Sequence, residues 1–517
     1  MQIEWKVAPH SEWQVDALIF FAFEKPRDYL PALREFLEGP GKWLADCAAL
    51  TDFQGKPSEV AVIYAPRGCG PAPRIILAGL GPIERFETER LKNASAFVLR
   101  KCHELGILRP GIALAALEGF ACMNESSGLG PCTLDALLRE TLAGAMAGLH
   151  QFNELKTKNS LAPPSPESLT LLCNKPPESS LREIVAVARC EVAGIKLARD
   201  LTISPANRVT PAFLAQSASE IAGRFGFKIE IIDLDTARSM GMGAFAAVAS
   251  GSAEPPFFII LEHAPLGTEN DAPLVLIGKG ITFDSGGISL KPRDKMEEMK
   301  QDMAGAAAVL GVFEAIGAAG LAKRVVGIMP CTENMPGGKA YKPGDVFRSY
   351  SGRTIEIIST DAEGRLVLCD ALAYAAERFK PALMVDIATL TGASIIALGR
   401  DVAAIMGNRE ELVGFIRKIG ASVGERFWPL PLWDFYFDAL KSEVADMKNA
   451  ADRGAGAIHG AMFLKQFVPD HVPWAHMDIA GTAWTDKDSG FSRKGSTGFG
   501  VRTLFELVRR SGEWVSG

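Results

Sequence analysis

The stretch LVLIGKGITFDSGG, residues 274–287, decides how the rest of this chain is interpreted. Its first four residues are apolar and predict a buried strand that runs straight into a glycine-rich loop. The loop carries Lys279 and Asp284, and Lys291 follows shortly after it. Because α/β proteins place functional groups at the carboxyl ends of such strands, this stretch is a candidate site. The alternative is an ordinary strand–loop–helix connection with solvated charges, and these residues alone do not decide between the two.

A chain of 517 residues is too long for one ordinary core, so we expect two domains. The fold class is predicted to be α/β. Short apolar strands alternate with helical patterns over residues 1–178, which predicts a smaller N-terminal α/β domain. Residues 179–200 have the periodicity of a connecting helix. Residues 201–517 are predicted to form a larger C-terminal catalytic domain with a mainly parallel central sheet flanked by helices, because strands and helices alternate there.

In the larger domain, short apolar runs predict strands and longer amphipathic stretches predict helices. The predicted strands are residues 228–233, 257–262, 274–277, 324–329, 383–387, 403–406 and 474–479. The predicted helices are residues 211–225, 302–319, 366–379, 409–423 and 455–467.

Composition narrows the classes of partner and compartment. The formal net charge is -6, so the chain has no overall basic footprint for nucleic acid, although a local patch is not excluded. The nine cysteines are dispersed and include no CxxC pair, which favours reduced thiols in a cytoplasmic protein. The first residues lack a basic segment followed by an apolar core, so we expect no signal peptide. No uninterrupted apolar run is long enough to span a bilayer, so we expect no membrane partner.

Two further acidic segments follow the opening stretch. Asp302 stands just before a helix of small residues, where an aspartate is most often an N-cap. The segment STDAEGR, residues 359–365, carries two carboxylates and a guanidinium. If it is extended, Asp361, Glu363 and Arg365 point to one face, because side chains alternate along a strand. Two carboxylates on one face repel each other unless a cation lies between them.

These carboxylates predict a pair of divalent metal ions. Such ions are bridged by carboxylates from several strand ends, and a ligand set without His or Cys suits Zn, Mn, Mg or Co without choosing among them. The alternative is a surface acidic loop that is balanced by lysines. A serine hydrolase is unsupported because the chain has no G-x-S-x-G elbow, and a single-zinc protease is unsupported because it has no H-E-x-x-H helix.

The second domain resembles the M17 leucyl aminopeptidase (cytosol aminopeptidase) family from about residue 199 to 502. Three motifs carry the resemblance: KGITFDSGG at residues 279–287, TDAEGRL at residues 360–366 and HMDIAG at residues 476–481. The first domain resembles the family's more variable N-terminal domain. One departure is visible, because the family signature usually begins with Asn and this chain has Ser359 there.

The resemblance implies a role for each site residue. The two metals would be held by one set of Lys279, Asp284, Asp302 and Glu363 and by a second set of Asp284, Asp361 and Glu363. Lys279 must be neutral to act as a ligand, whereas Lys291 would stay charged and stabilise the developing oxyanion. Arg365 would hold a bicarbonate as general base. The substrate-binding residues would be Met299, Thr389, Leu390 and Gly392, with the Leu390 backbone carbonyl accepting a hydrogen bond from the substrate peptide.

The implied function is a metal-dependent exopeptidase. It would remove N-terminal, preferably Leu-like, residues from peptides with a free N-terminus, using water activated by two metals. Zn or Mn is the expected metal, with Mg or Co as further candidates, and the family implies a homohexamer. The alternatives are a two-metal phosphoesterase and a DNA-binding regulatory role added to the aminopeptidase. A structural role is predicted for His476, and His459 is predicted to be either structural or at the border of the substrate pocket.

Overall fold

The computed structural model describes residues 1–7, 12–24, 31–45, 47, 52–113, 117, 133–157, 163–173, 180–452 and 454–514. These residues divide into two compact units. The first consists of residues 1–192 and 487–493, and the second of residues 193–486 and 494–517. The expected two-domain α/β architecture is thus present, while the predicted domain limit at residue 178 lies outside the described residues.

The smaller unit is built on a six-stranded sheet. Its strands are β1 Gln2–Val7, β2 Ala17–Ala22, β3 Val60–Tyr64, β4 Arg74–Gly79, β5 Pro110–Ala113 and β6 Ser168–Cys173. They lie in the order β1-β6-β5-β2-β4-β3, and only β3 runs antiparallel to its neighbour. Its helices are α1 Pro31–Glu38, α2 Thr88–Glu104 and α3 Leu134–Gly148, followed by α4 Ser180–Ile203, which continues into the larger unit. Strand β2 is buried at every residue, as its uninterrupted apolar sequence requires.

The larger unit is built on a nine-stranded sheet with helices packed against it. The strands of the larger unit are β7 Lys228–Ile232, β8 Phe257–His263, β9 Leu274–Gly278, β10 Gly280–Asp284, β11 Val325–Asn334, β12 Val346–Arg348, β13 Thr354–Glu356, β14 Leu383–Ala388, β15 Val402–Gly407, β16 Arg426–Pro429, β17 Met447–Lys448, β18 Trp474–Asp478, β19 Trp484–Thr485 and β20 Gly495–Ser496. Strands β12, β13 and β17 form a smaller three-stranded sheet, and β19 and β20 a two-stranded one. The helices of the larger unit are α5 Pro211–Phe225, α6 Leu234–Ser239, α7 Gly243–Ala249, α8 Ala304–Ala319, α9 Glu363–Phe379, α10 Gly392–Leu398, α11 Glu410–Ser422, α12 Gly456–Lys465 and α13 Val501–Trp514.

The central strands of this sheet are parallel, as predicted. The order is β16-β15-β18-β14-β9-β11-β8-β7, with β10 also pairing with β11. Strands β18, β14, β9 and β11 run in the same direction, whereas β15, β8 and β7 are antiparallel to the neighbours nearer the centre. Because parallel strands end at one edge, the residues that follow β9, β14 and β18 are brought together there.

Two local expectations in this domain are wrong. Residues 280–284 form strand β10 rather than a loop, and they pair with β11 with a register shift between Ile281 and Asp284. The β-branched and aromatic side chains of residues 281–283 suit a strand, despite the flanking glycines. Residues 359–365 are not extended: a turn at Thr360 and Asp361 leads into helix α9, which begins at Glu363. The two carboxylates and the guanidinium therefore do not share the face of a strand.

The core of the larger unit contains one long apolar helical segment. Residues Met296–Ala319 are long and apolar enough to cross a membrane, but 78% of their most apolar window is buried inside the protein. The α8 part of this segment packs on β9, β11 and β14. Its apolar character is therefore accounted for by packing against the sheet.

Candidate active site

Lys279 is a deeply buried charged group at the carboxyl edge of the sheet. It directly follows β9, and its side chain is only 2% exposed. Its Nζ lies 2.8 Å from a carboxylate oxygen of Asp302 and 2.8 Å from Glu363 Oε1, and it donates a hydrogen bond to the Thr389 carbonyl at 2.9 Å. The opening stretch and both acidic segments therefore meet at one side chain.

The carboxylates around Lys279 control its charge. Burial opposes the ammonium form, but Asp302, Glu363 and Asp284 outweigh burial and raise the pKa of Lys279. A neutral Lys279 therefore requires cations in the cluster that overcome the effect of these three carboxylates.

Asp302 is not the N-cap that its position suggests. The N-cap of α8 is Met303, which makes no capping hydrogen bond through its side chain. The carboxylate of Asp302 accepts hydrogen bonds from Lys279 Nζ at 2.8 Å and Thr389 Oγ1 at 2.7 Å. Burial raises its pKa well above the usual range. The Asp302 carboxylate therefore belongs to the cluster around Lys279 and does not cap α8.

Lys291 contacts a different pair of carboxylates. Its Nζ lies 2.8 Å from Asp284 Oδ2 and 2.5 Å from Asp361 Oδ1, and its side chain is 22% exposed. Burial opposes its charged form, but Asp284 and the other carboxylates outweigh burial and raise the pKa of Lys291. Since Lys279 contacts Asp302 and Glu363 instead, the two lysines are separated by the acidic cluster.

Three carboxylates form the centre of this cluster. Ligand oxygens of Asp284, Asp361 and Glu363 all lie within 4.8 Å of one another. Burial and the neighbouring Glu363 and Asp284 raise the pKa of Asp361 to about 6. Glu363 Oε2 is buried and has no hydrogen-bond donor among the described residues. Buried carboxylate oxygens are normally paired, so this donor set fits a bound cation better than a purely structural cluster.

Several neutral residues that the sequence did not single out hold the cluster in place. Asp284 Oδ1 accepts hydrogen bonds from the Gly286 N–H and from Asn334 Nδ2, both at 2.8 Å. Asn334 Nδ2 also donates to the Thr360 carbonyl at 2.9 Å, as does the Tyr341 hydroxyl at 2.8 Å. The only sequence signal for Asn334 is its position at the end of a strongly apolar strand.

Arg365 and the turn that precedes it are held by Asn449. Arg365 Nη1 donates to the Asn449 carbonyl at 2.7 Å, while Arg365 Nε is buried without a partner among the described residues. Burial lowers the pKa of Arg365 to about 10, so it remains cationic at neutral pH. The side-chain amide of Asn449 donates to the Ser359 carbonyl at 2.6 Å, and Ser359 Oγ accepts from the Asp361 N–H at 3.2 Å. The serine that departs from the family signature thus still supports the turn.

The two histidines differ in their surroundings. His476 is fully buried, with Nδ1 2.5 Å from Asp386 Oδ1, and Trp474 Nε1 donates to the same carboxylate at 2.7 Å. Burial opposes protonation of His476, but Asp386 outweighs burial and raises its pKa. His459 lies edge-on to the Tyr436 ring, with 6.1 Å between ring centroids. Burial and the nearby Arg365 lower the pKa of His459.

The charged cluster opens into a cavity of about 440 Å³. Every predicted site residue lines it: Lys279, Asp284, Lys291, Met299, Asp302, Asp361, Glu363, Arg365, Thr389, Leu390 and Gly392. The cavity is also lined by Lys295, Glu298, Gln301, Thr391, Ile395, Arg400, Gly456 and Ala480. A larger cavity of about 1040 Å³ is lined by residues of the segments 350–353, 373–381 and 465–472 and by Asp434, and none of the predicted site residues is among them. Size alone would therefore have pointed to a cavity other than the one that holds the predicted site residues.

Comparison with known families shows which family the chain belongs to. The catalytic-domain model of the cytosol aminopeptidase family matches residues 196–505, and the N-terminal-domain model of that family matches residues 19–159. The chain belongs to the cytosol aminopeptidase family. A probable cytosol aminopeptidase of Syntrophobacter fumaroxidans is 56% identical over 508 residues, which cover 98% of each chain. Another, from Nitratidesulfovibrio vulgaris, is 45% identical over 512 residues, covering 98% of this chain and 99% of the relative.

Solved structures give the same result. A mutant of tomato leucine aminopeptidase has a TM-score of 0.85 at 32% identity, covering 99% of this chain and 96% of the tomato chain. The bottromycin maturation enzyme BotP in complex with Mn has a TM-score of 0.80 at 32% identity, covering 96% of this chain and 99% of BotP. The protein is therefore an aminopeptidase, a hydrolase, and its family is metal-dependent.

The packing of Lys279 makes a specific prediction for Gly364. A Cβ atom on Gly364 would lie 2.6 Å from Lys279 Cε and 2.7 Å from Nζ, so Gly364→Ala must displace the lysine. We expect a loss of roughly 1–3 kcal/mol in the free energy of unfolding, as for other overpacked cores, together with lower aminopeptidase activity. Urea unfolding and steady-state kinetics measure the two effects.

Gly414 provides the matched control. It lies in helix α11, and a Cβ atom placed there has no neighbour within 4 Å. Because glycine in a helix costs roughly 0.5–1 kcal/mol relative to alanine, Gly414→Ala is expected to stabilise the protein. Equal stability and activity of the Gly364→Ala variant and the wild-type protein would contradict the predicted clash.

Proposed function

We propose that this aminopeptidase removes N-terminal, preferably Leu-like, residues from peptides with the help of two divalent metal ions. The observation that carries the proposal is the cluster of Asp284, Asp361 and Glu363, whose oxygens lie within 4.8 Å of one another beside two lysines. Zn or Mn is the preferred assignment, with Mg or Co as further candidates. The complex of BotP with Mn supports a metal of this type.

The chain offers two overlapping ligand sets. Lys279, Asp284, Asp302 and Glu363 would hold one metal, and Asp284, Asp361 and Glu363 would hold the other. When bound, a metal pair supplies a water nucleophile at neutral pH and a Lewis acid for the scissile carbonyl. Glu363 Oε2, buried and without a donor in the described part of the chain, supports this assignment, because a carboxylate oxygen without a donor favours a cation.

Lys291 is proposed as the electrophilic residue. Its raised pKa keeps the ammonium charged at neutral pH. It reaches the cluster from the side of Asp284 and Asp361, where it can donate to negative charge that develops on the substrate oxygen. A positioned cation of this kind stabilises the transition state more than the substrate, which is what accelerates a reaction.

Arg365 is proposed to hold a bicarbonate-type general base. Its guanidinium lines the cavity and remains cationic, and its buried Nε has no partner among the described residues. A planar guanidinium binds a planar carboxylate-like anion with two parallel hydrogen bonds. An anion held there would accept a proton during hydrolysis.

Four further cavity residues, Met299, Thr389, Leu390 and Gly392, would bind the substrate. A volume of about 440 Å³ suits one apolar side chain and the adjoining peptide group. Met299 would contact the first side chain, because a flexible thioether adapts to different apolar shapes. Thr389, Leu390 and Gly392 would line the path of the substrate backbone, with the Leu390 carbonyl accepting a hydrogen bond from it.

The decisive experiment is an activity screen on aminoacyl p-nitroanilides after chelation and addition of Zn, Mn, Mg or Co. We expect no turnover after chelation, recovery with at least one of these metals, and preference for leucyl over charged substrates. N-acetyl-leucyl p-nitroanilide should stay intact because it lacks a free N-terminus. Turnover that survives chelation, or equal cleavage of the acetylated substrate, would contradict the proposal. p-Nitrophenyl phosphate tests the phosphoesterase alternative in the same screen.

We also propose that the chain acts as a cytoplasmic homohexamer. Exposed aromatic residues of the larger unit support an assembly surface: Trp433 and Phe435 are each 60% exposed and stack near Tyr436. Size-exclusion chromatography with light scattering tests the assembly, and a monomer at micromolar concentration would refute it.

A further inference from the structure

Asp478 is a buried carboxylate to which neither the sequence nor the proposed mechanism gives a role. It ends strand β18, and its residue is 0% exposed. Its Oδ1 lies 3.1 Å from the Leu390 nitrogen, 3.4 Å from the Thr391 nitrogen and 3.2 Å from the Ala480 nitrogen, accepting from each N–H. Its Oδ2 accepts from the Thr391 hydroxyl at 2.6 Å. The three hydrogen bonds from Leu390 and Thr391 therefore tie the segment after β14 to this carboxylate.

The direction of these hydrogen bonds determines where the neighbouring carbonyls point. All peptide bonds of the described chain are trans, so the C=O and N–H of one peptide group point in opposite directions. With the N–H groups of Leu390 and Thr391 turned toward Asp478, the carbonyls of Thr389 and Leu390 face away from it. The first of these accepts a hydrogen bond from Lys279 Nζ at 2.9 Å. The second belongs to a residue that lines the active-site cavity.

Thr391 links this clamp to the next helix. Its hydroxyl donates to Asp478 and also accepts from the Ser394 N–H at 3.2 Å, which caps the N-terminus of α10. The carboxylate therefore fixes both the segment 389–391 and the start of the helix that follows it.

We propose that Asp478 is a positioning residue that aims the Leu390 carbonyl at the N–H of the substrate peptide bond that is cut. The inference rests on the proposed function, in which this carbonyl accepts a hydrogen bond from the substrate. Asp478 contacts no substrate itself. It acts through the two peptide groups on either side of Leu390.

The test compares Asp478→Asn with the wild-type enzyme on Leu-Gly and on its ester analogue, leucyl-glycolate. The ester has oxygen in place of the scissile N–H, so it cannot use the Leu390 carbonyl. In the wild-type enzyme both substrates are cleaved. In the variant, kcat/KM should fall about tenfold further for the amide than for the ester, the size of one aligned hydrogen bond, and metal content should be unchanged. An equal fall for both substrates, or no fall, would overturn the proposal.

Asp370→Asn is the matched control. Asp370 is also buried and accepts from two backbone N–H groups, those of Phe245 at 2.9 Å and Tyr350 at 2.8 Å, but it does not line the cavity. This variant should lower the melting temperature and keep the wild-type amide-to-ester ratio. A changed ratio here would show that the readout follows stability and would overturn the interpretation.

Thr391 provides a second route if Asp478→Asn does not fold. Thr391→Ser keeps the hydroxyl that donates a hydrogen bond to Asp478, so it should keep the wild-type amide-to-ester ratio of kcat/KM. Thr391→Val removes this hydroxyl and should lower the ratio. Identical ratios in these two variants would count against the clamp. A wild-type enzyme that cleaves neither substrate would instead refute the proposed function, and a cleaving enzyme with an unchanged ratio in every variant would refute the positioning role alone.

Discussion

Replacing Glu363 with glutamine is expected to reduce hydrolysis of leucyl p-nitroanilide at least about a thousandfold. Glu363 lies 2.8 Å from Lys279 and presents its other, buried oxygen to the cluster with no donor of its own among the described residues. The glutamine side chain of the variant carries no negative charge. Its amide N–H groups are donors, whereas Lys279 Nζ needs an acceptor at this position. Metal-assisted hydrolysis draws several kcal/mol from the metal pair, and each 1.36 kcal/mol is about tenfold in rate.

The control for this variant is Glu425→Gln. Glu425 is also a buried glutamate of the larger unit, and it accepts hydrogen bonds from the Gly500 and Thr503 N–H groups at 2.9 and 3.0 Å. The Glu425→Gln variant should be less stable than the wild-type protein but should keep its activity per folded molecule and its metal content. Atomic absorption and circular dichroism report metal content and folding. Undiminished turnover in folded Glu363→Gln protein would refute the proposed ligand sets, and the same measurement applies to Asp361→Ala.

Replacing Lys291 with methionine is expected to lower kcat about a hundredfold or more while metal content stays close to that of the wild-type enzyme. The ammonium contacts Asp284 and Asp361 from the more exposed side of the cluster. Removing one positioned donor to a developing oxyanion typically costs 10²–10³ in kcat. The methionine keeps the length of the side chain, so the packing changes little.

Lys295→Met separates this effect from general electrostatics. Lys295 also lines the cavity, but it is half exposed and its carboxylate neighbours, Glu298 and Asp486, are 3.5 and 3.8 Å away. Exposed pairs of this kind contribute little, so the control should change kcat less than about threefold. If Lys291→Met loses its metal instead, Lys291 holds the carboxylates in place and does not act on the substrate.

The charged residues that the sequence singles out lie together in one cavity because their chemistry and their position at strand ends coincide. An apolar run followed by Lys279, or by Thr389, shows directly that a polar group leaves the end of a buried strand. The supporting residues are harder to predict. Asn334 and Asn449 act through neutral amides, and they meet the site only after distant segments have folded together.

Local patterns fail where two backbone conformations suit the same residues. In residues 359–365, alternate carboxylates fit the period of a strand, yet the segment forms a turn and the first turn of α9. Glycine is needed at position 364 of that helix because a Cβ atom there would collide with Lys279. The cause is a tertiary contact, which the local sequence does not show. Likewise, strand β10 depends on pairing with β11 and is not visible in the glycine-rich sequence alone.

The central place of β18 in the sheet has a consequence for synthesis of the chain. β18 lies between β14 and β15, although it is the last strand of this sheet to be made. A ribosome-bound chain that ends before residue 478 already contains every proposed metal ligand, but it lacks the carboxylate that orients residues 389–391. The contacts involved are distant in sequence and therefore form late. We expect peptide hydrolysis to reach its full rate only after β18 has inserted, because residues 389–391 are not oriented before then.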